Sequence, residues 1–189
     1  MEDTIGVQRP PFGVDLVAPD GWQVLRSAAP ALRDDLLALV ARSPAWAALD
    51  ERRRRGSAVL LEAVAELSAA SGALATLLGT DLPGVAVLTL AWRRTAPLRA
   101  DLDLARLVAG VDRDAPLVGT GAGPGVLVRA QRPGPAGGPW STSQLLVPVP
   151  GSVWLAALTA TALSEEAARA AEEALLRVAG SLRVQRRAA

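Results

Sequence analysis

A chain of 189 residues, 50% hydrophobic and 21% charged, carries enough apolar surface to bury the core of one domain without disulfides or metal, which excludes global disorder. Its net charge of +1 excludes a field strong enough to steer it onto nucleic acid or an acidic membrane. It contains no His, Cys, Lys or Tyr, so imidazole, thiol, amine and phenol chemistry are excluded, and only Asp and Glu remain to move protons.

In chain order, an arm at Pro10-Pro11 leads to Phe12–Val17, which alternates apolar with small or polar residues. Pro19-Asp20-Gly21 then supplies turn chemistry before Trp22–Leu25, so the opening reads as two short strands forming a hairpin. Ser27–Pro30 offers a helix start, with Leu32, Leu36, Leu37, Leu39 and Val40 at helical spacing through about Arg42. Pro44 ends that helix or begins the next, and Gly56 breaks the Asp50–Arg55 charge run. A second long helix is predicted from about Ser57, with Leu60, Leu61, Val64, Leu67, Leu74, Leu77 and Leu78 apolar, closing near Gly79. Within it Glu62 and Glu66, four apart, share a solvated face and argue against a membrane span over Ser57–Leu78.

Val85–Arg94 reads as a strand by its β-branched and aromatic content, and Asp101–Gly110 as a short helix with acids first and glycine last. Three more strands follow at Val126–Gln131, Ser141–Val149 and Val153–Thr161, the last two joined by a Pro150-Gly151 turn, with Gly134–Gly138 a loop. Ser164 caps an amphipathic C-terminal helix, and the tail 185–189 should fray. The order predicts a single α+β domain over 1–189: an antiparallel sheet of about five to seven strands, helices packed on one face, and a helical insert at about 31–78.

The candidate chemistry is sparse. Gly119–Gly125 is glycine-rich like a phosphate loop, but it opens a strand and has no following Lys-Ser or Lys-Thr, so it reads as a hairpin turn. Asp34-Asp35, Asp101 with Asp103, and Asp112 with Asp114 are sequence neighbours suited to helix capping and solubility, not to facing each other across a cleft. Ser141, Thr142 and Ser143 lack a His or Lys to act as base. The run Arg52, Arg53, Arg54 and Arg55, with Trp46 beside it, is the strongest candidate for partner binding, against the plainer reading of a solvated junction. Five tryptophans carry nearly all the aromatic bulk and are expected mostly in or at the edge of the core.

The segment Leu16-Val17-Ala18-Pro19-Asp20-Gly21-Trp22 resembles the first hairpin of the PsbP-like superfamily, and the late hairpin around Pro148-Val149-Pro150-Gly151 running into a helix ending Ala179-Gly180-Ser181-Leu182-Arg183 is similar to actinobacterial members with a helical insert. The resemblance implies a protein that acts by binding, as a scaffold or adaptor on a larger assembly, with no shared active site to carry over. Some such relatives are exported lipoproteins; this chain departs from them, since its acidic start Met1-Glu2-Asp3-Thr4 is unlike a signal peptide and it has no lipid-bearing cysteine. The expectation is therefore a cytoplasmic, non-enzymatic interaction protein without cofactor, binding a protein partner or itself, with a carrier or sensor of a small apolar ligand as the alternative. A mean hydropathy of +0.26 is high for such a domain and favours an exposed apolar patch.

Overall fold

The computed structural model describes residues 10–25, 31–80, 84–94, 115–133 and 139–186. Along these run β1 (Phe12–Asp15), β2 (Trp22–Leu25), α1 (Ala31–Val40), α2 (Pro44–Ala47), α3 (Glu51–Ser71), β3 (Ala75–Gly79), β4 (Ala86–Arg94), β5 (Leu117–Thr120), β6 (Gly123–Pro133), β7 (Pro139–Pro148), β8 (Trp154–Ala162), α4 (Glu165–Ser181) and β9 (Arg183–Arg186). The class is α+β, with a seven-stranded sheet ordered β2-β3-β4-β8-β7-β6-β5, antiparallel throughout, and a separate two-stranded sheet of β1 and β9.

Alternation along β4 shows how the layers are built, because successive side chains of a strand point to opposite faces. Leu88, Leu90 and Trp92 join the cluster formed by Ala171, Ala174, Leu175 and Val178 of α4, whereas Val87 joins Leu32, Leu36 and Leu39 of α1 and Leu60, Leu61 and Val64 of α3. The helices thus divide between the two faces, where one face was expected. A strand as apolar on both sides as Ala86–Trp92, with only Thr89 less than buried, requires cover on both. A third cluster of Val126, Leu146, Leu155 and Ala157 continues the α1/α3 face toward β6.

Several expectations change. The opening hairpin does not form: β1 pairs with β9 (Phe12 opposite Arg186, Val14 opposite Val184), while β2 pairs with β3 (Trp22 opposite Gly79). The Pro19–Trp22 turn is present, with the Trp22 amide donating to the Pro19 carbonyl at 3.1 Å and Gly21 at φ +75°, but it links two sheets instead of two partners. The tail is ordered through Arg186, because Val184 packs against the α4 core and Gln185 donates to Asp15.

The long helix also shifts. Gly56 does not break it, since Asp50 supplies an N-cap and four arginines followed by Ser57, Ala58, Val59 and Leu60 carry the helix past one glycine costing about 1 kcal/mol. It ends at Ser71, not Gly79, so the helical insert closes before the core strand β3. Gly72 takes the left-handed conformation (φ +62°, ψ +46°), and the Ala73 amide donates to the Ser68 carbonyl at 2.8 Å, closing a Schellman motif. The expected strands form as β6, extended at both ends, β7, which starts two residues earlier and ends one earlier, and β8, shifted by one residue, and β5 adds one more. The expected helix Asp101–Gly110, the loop Gly134–Gly138 and the carboxylates Asp101, Asp103, Asp112 and Asp114 lie outside the described residues.

Candidate docking surface on the helical insert

The insert leaves β2 and returns to β3, its antiparallel neighbour, so α1, α2 and α3 form a lobe on one sheet face without interrupting the sheet. Its interior is aliphatic, and Trp46 and Leu49 pack half-buried against it. Ser43 caps α2, its hydroxyl accepting from the Trp46 amide at 3.1 Å, and Pro44 sits where its missing N–H costs nothing. Asp50 caps α3, accepting from the Arg53 amide at 2.8 Å.

The arginine run is the first turn of α3 and not a loop between helices. Cations at a helix N-terminus oppose the macrodipole, so this turn needs offsetting groups, and the structure supplies them. Arg53 lies 3.6 Å from Asp50 and Arg55 3.0 Å from Glu51. Arg54 donates through Nε to the Trp46 carbonyl at 3.2 Å and through a terminal nitrogen to the Ala47 carbonyl at 2.9 Å. Arg54 therefore braces α2 onto α3 through two carbonyls at the end of α2, that of Trp46 also accepting from the Leu49 amide at 3.2 Å. The Arg53 and Arg55 pairs are surface pairs, more than half exposed, and hold their partners weakly.

Beyond that turn, the outer flank of α3 changes character along its length. Gly56, Leu60, Ala63 and Leu67 follow the i, i+4, i+7, i+11 spacing of a single helical stripe. Gly56 and Leu60 are buried, Ala63 is half-buried, and Leu67 is 66% exposed. Cover over the stripe thus runs out toward the C-terminal half of α3, where Ala70 is also exposed. Glu62 is held by Arg33 of α1, whose pKa the bond raises, while Glu66 one turn on is exposed. Sequence reading passed over this flank because treating Gly56 as a breaker detached the arginine turn from the stripe it begins.

Other features singled out in the sequence have structural employment. The glycine-rich turn between β5 and β6 packs on the C-terminus of α4, the Gly121 amide donating to the Ala179 carbonyl at 2.9 Å. A Cβ at Gly121 would fall 2.5 Å from the Leu182 carbonyl and 2.7 Å from that of Gly180, so only glycine fits. The helix end it meets is the negative one, which repels phosphate. Ser143 donates to Glu172 of α4, which also takes a two-pronged contact from Arg129, at 2.8 Å from Nε and 2.6 Å from a terminal nitrogen. These bonds, Arg129 first, hold the Glu172 carboxyl below its usual range, the opposite of what a general acid needs. Arg94 stacks over Trp154 at 5.5 Å. Trp22 and Trp92 are buried and Trp46, Trp140 and Trp154 half-buried. Among the described residues no group of three or more Asp or Glu is placed to hold a metal, and no helix is long and apolar enough to cross a membrane.

No protein-family model matches the chain, and no curated protein matches it in sequence. Solved structures with some similarity to the chain include the following two. A protein of Bacteroides thetaiotaomicron has 10% identity and a TM-score of 0.49 over 91% of this chain, which spans only 45% of that one. LpqN, described as involved in cell envelope biogenesis of Mycobacterium tuberculosis, has 13% identity and a TM-score of 0.49, covering 92% of this chain and 84% of its own.

Proposed function

We propose that this chain is a non-enzymatic interaction protein, an adaptor or scaffold of a larger bacterial assembly, and that the outer flank of α3 is where a protein partner docks. The observation that carries the reading is Leu67, 66% exposed on a stripe whose earlier members Gly56 and Leu60 are buried and Ala63 half-buried. An exposed apolar side chain continuous with a core, with a charged rim at Arg52 to Arg55 more than three turns away along the same helix, supplies the apolar and charged parts that an interface combines. Trp46 belongs to the support beneath the rim, holding α2 so that Arg54 can brace it. The chemical repertoire agrees, because a chain without imidazole, thiol, amine or phenol has only carboxylates for proton transfer.

A photo-reactive benzoylphenylalanine placed at Leu67, and separately at the exposed Glu173 of α4, tests this in the cells that make the protein. A discrete protein adduct at position 67 and none at 173 is expected. No adduct at 67, or equal adducts at both positions, overturns the reading.

A further inference from the structure

The flank of α3 that carries Leu67 also carries a definite charge order. By helical periodicity Arg52, Arg55, Val59, Ala63, Glu66 and Leu67 lie on one side of the helix, away from the buried row of Ser57, Leu61, Val64 and Ser68. Read from the N-terminus, the flank is basic, then small and apolar, then acidic with an exposed leucine. Such a sequence is complementary to itself when reversed.

We infer that the partner of this flank is a second copy of the chain, docked through an antiparallel pairing of the two α3 helices about a two-fold axis near Val59 and Ala63. The inference rests on the docking reading above. In that pairing Glu66 of each copy lies beside Arg52 and Arg55 of the other. Leu67 of each meets the opposite arginine turn, whose long methylene stems can cover it. The arginines, unfavourably placed on their own helix dipole, come alongside the C-terminal half of the other helix, where a cation is favoured. Small side chains at the centre let two helices approach to the usual 8 to 10 Å between axes, an order-of-magnitude spacing for packed helices. Arg55 is free to exchange partners, because its present pair with Glu51 is 78% and 88% exposed and therefore weak. The contact is isologous, so it closes at the dimer and does not propagate.

A helix of 21 residues is roughly 30 Å long, so a single pair of such helices buries an area at the small end of specific interfaces. The dimer is accordingly weak, forming in the micromolar range and loosening as salt screens its charge pairs. Sedimentation velocity of the full chain across concentration tests this with a charge swap. Wild-type protein is expected in monomer–dimer equilibrium. Glu66→Arg alone and Arg52→Glu/Arg55→Glu alone should each weaken dimerisation by about tenfold or more, since each sets like charges together twice. A 1:1 mixture of the two variants should restore the dimer, because every repulsive pair becomes attractive. All three positions are exposed and acids suit a helix N-terminus, so both variants should keep the wild-type circular dichroism spectrum.

Wild-type protein that stays monomeric to several hundred micromolar, a dimer indifferent to Glu66→Arg, or a mixture that fails to re-form it overturns the inference. The cross-link at position 67 separates this failure from failure of the docking reading. An adduct of twice the 19.5 kDa chain supports a second copy, an adduct of another mass overturns self-pairing while docking stands, and no adduct overturns both.

Discussion

The Glu172 carboxylate of α4 reaches the interior strands β6 and β7, accepting two bonds from Arg129 on β6 and one from Ser143 on β7. Arg129 and Ser143 stand opposite each other in the β6–β7 register, so one carboxylate pins two strands and a helix. The Arg129 bond is the largest cause of its lowered pKa, the Ser143 bond adds to it, and partial burial works against both. A carboxyl whose folded pKa is depressed contributes stability that is present above its unfolded value, near 4.3, and is lost as pH falls through the folded value. Glu172→Gln should therefore lower the urea midpoint at pH 6 to 8, by about 1 kcal/mol or less because Arg129 is half exposed. Below pH 4 the gap between variant and wild type should shrink. A gap that stays constant down to pH 2.5 would show that the charge contributes nothing. None of this was legible in the sequence, where Arg129 and Ser143 are respectively 43 and 29 residues from Glu172 and only the strand register brings them together. Arg54 is a similar case: its run was visible, but bonds to carbonyls seven and eight residues upstream depend on where α2 ends.

At the scale of elements, legibility followed the strength of local signals. α4 was readable because Ser164 caps it, Glu165 and Glu166 complement its dipole, and its apolar positions keep helical period from Ala167 to Val178. β6, β7 and β8 were readable from alternation and from the Pro150-Gly151 turn. Residues 72–79 were not, because Leu74, Leu77 and Leu78 extend the spacing of the preceding helix although the chain there turns into a strand buried on both faces. The deciding residue is Gly72, whose left-handed backbone ends α3 and lets Leu74 donate to the Leu90 carbonyl at 2.7 Å, starting the β3–β4 pairing. A Cβ at Gly72 would meet nothing within 4 Å, so Gly72→Ala isolates the backbone cost of positive φ from packing. Roughly 1 to 2 kcal/mol of destabilisation is expected in denaturant titration, with Gly72→Asn losing less because asparagine tolerates this conformation. Equal loss in both variants would mean the turn is held by contacts and not by its φ angle.

At the scale of the whole molecule, the two ends of the described chain close on each other. β1 and β9 pair across some 170 residues and lie against the α4 side of the main sheet, with Val14 and Val184 packed on the core. Phe12 is the anchor: it is 5% exposed, and its ring lies 6.0 Å from that of Trp92 at 46°, a tilted pair at the end of β4. The alternation of residues 12–17 was readable as a strand, but its partner was not, since a neighbouring strand across a tight turn is ordinarily the preferred choice. β1 takes β9 because Phe12 and Trp22 both belong to the α4-side core while β2 is committed edge-on to β3. Two measurements separate anchor from sheet. Phe12→Ala should cost about 3 to 5 kcal/mol, the usual range for emptying a buried aromatic site. A chain ending at Leu182, which loses β9 but no strand of the seven-stranded sheet, should still show the far-ultraviolet spectrum of a folded α+β protein and unfold at lower denaturant. Should that truncated chain prove unfolded, the small sheet would be part of the minimal fold; should it lose no stability, the closure of the two ends would contribute nothing to holding the molecule together.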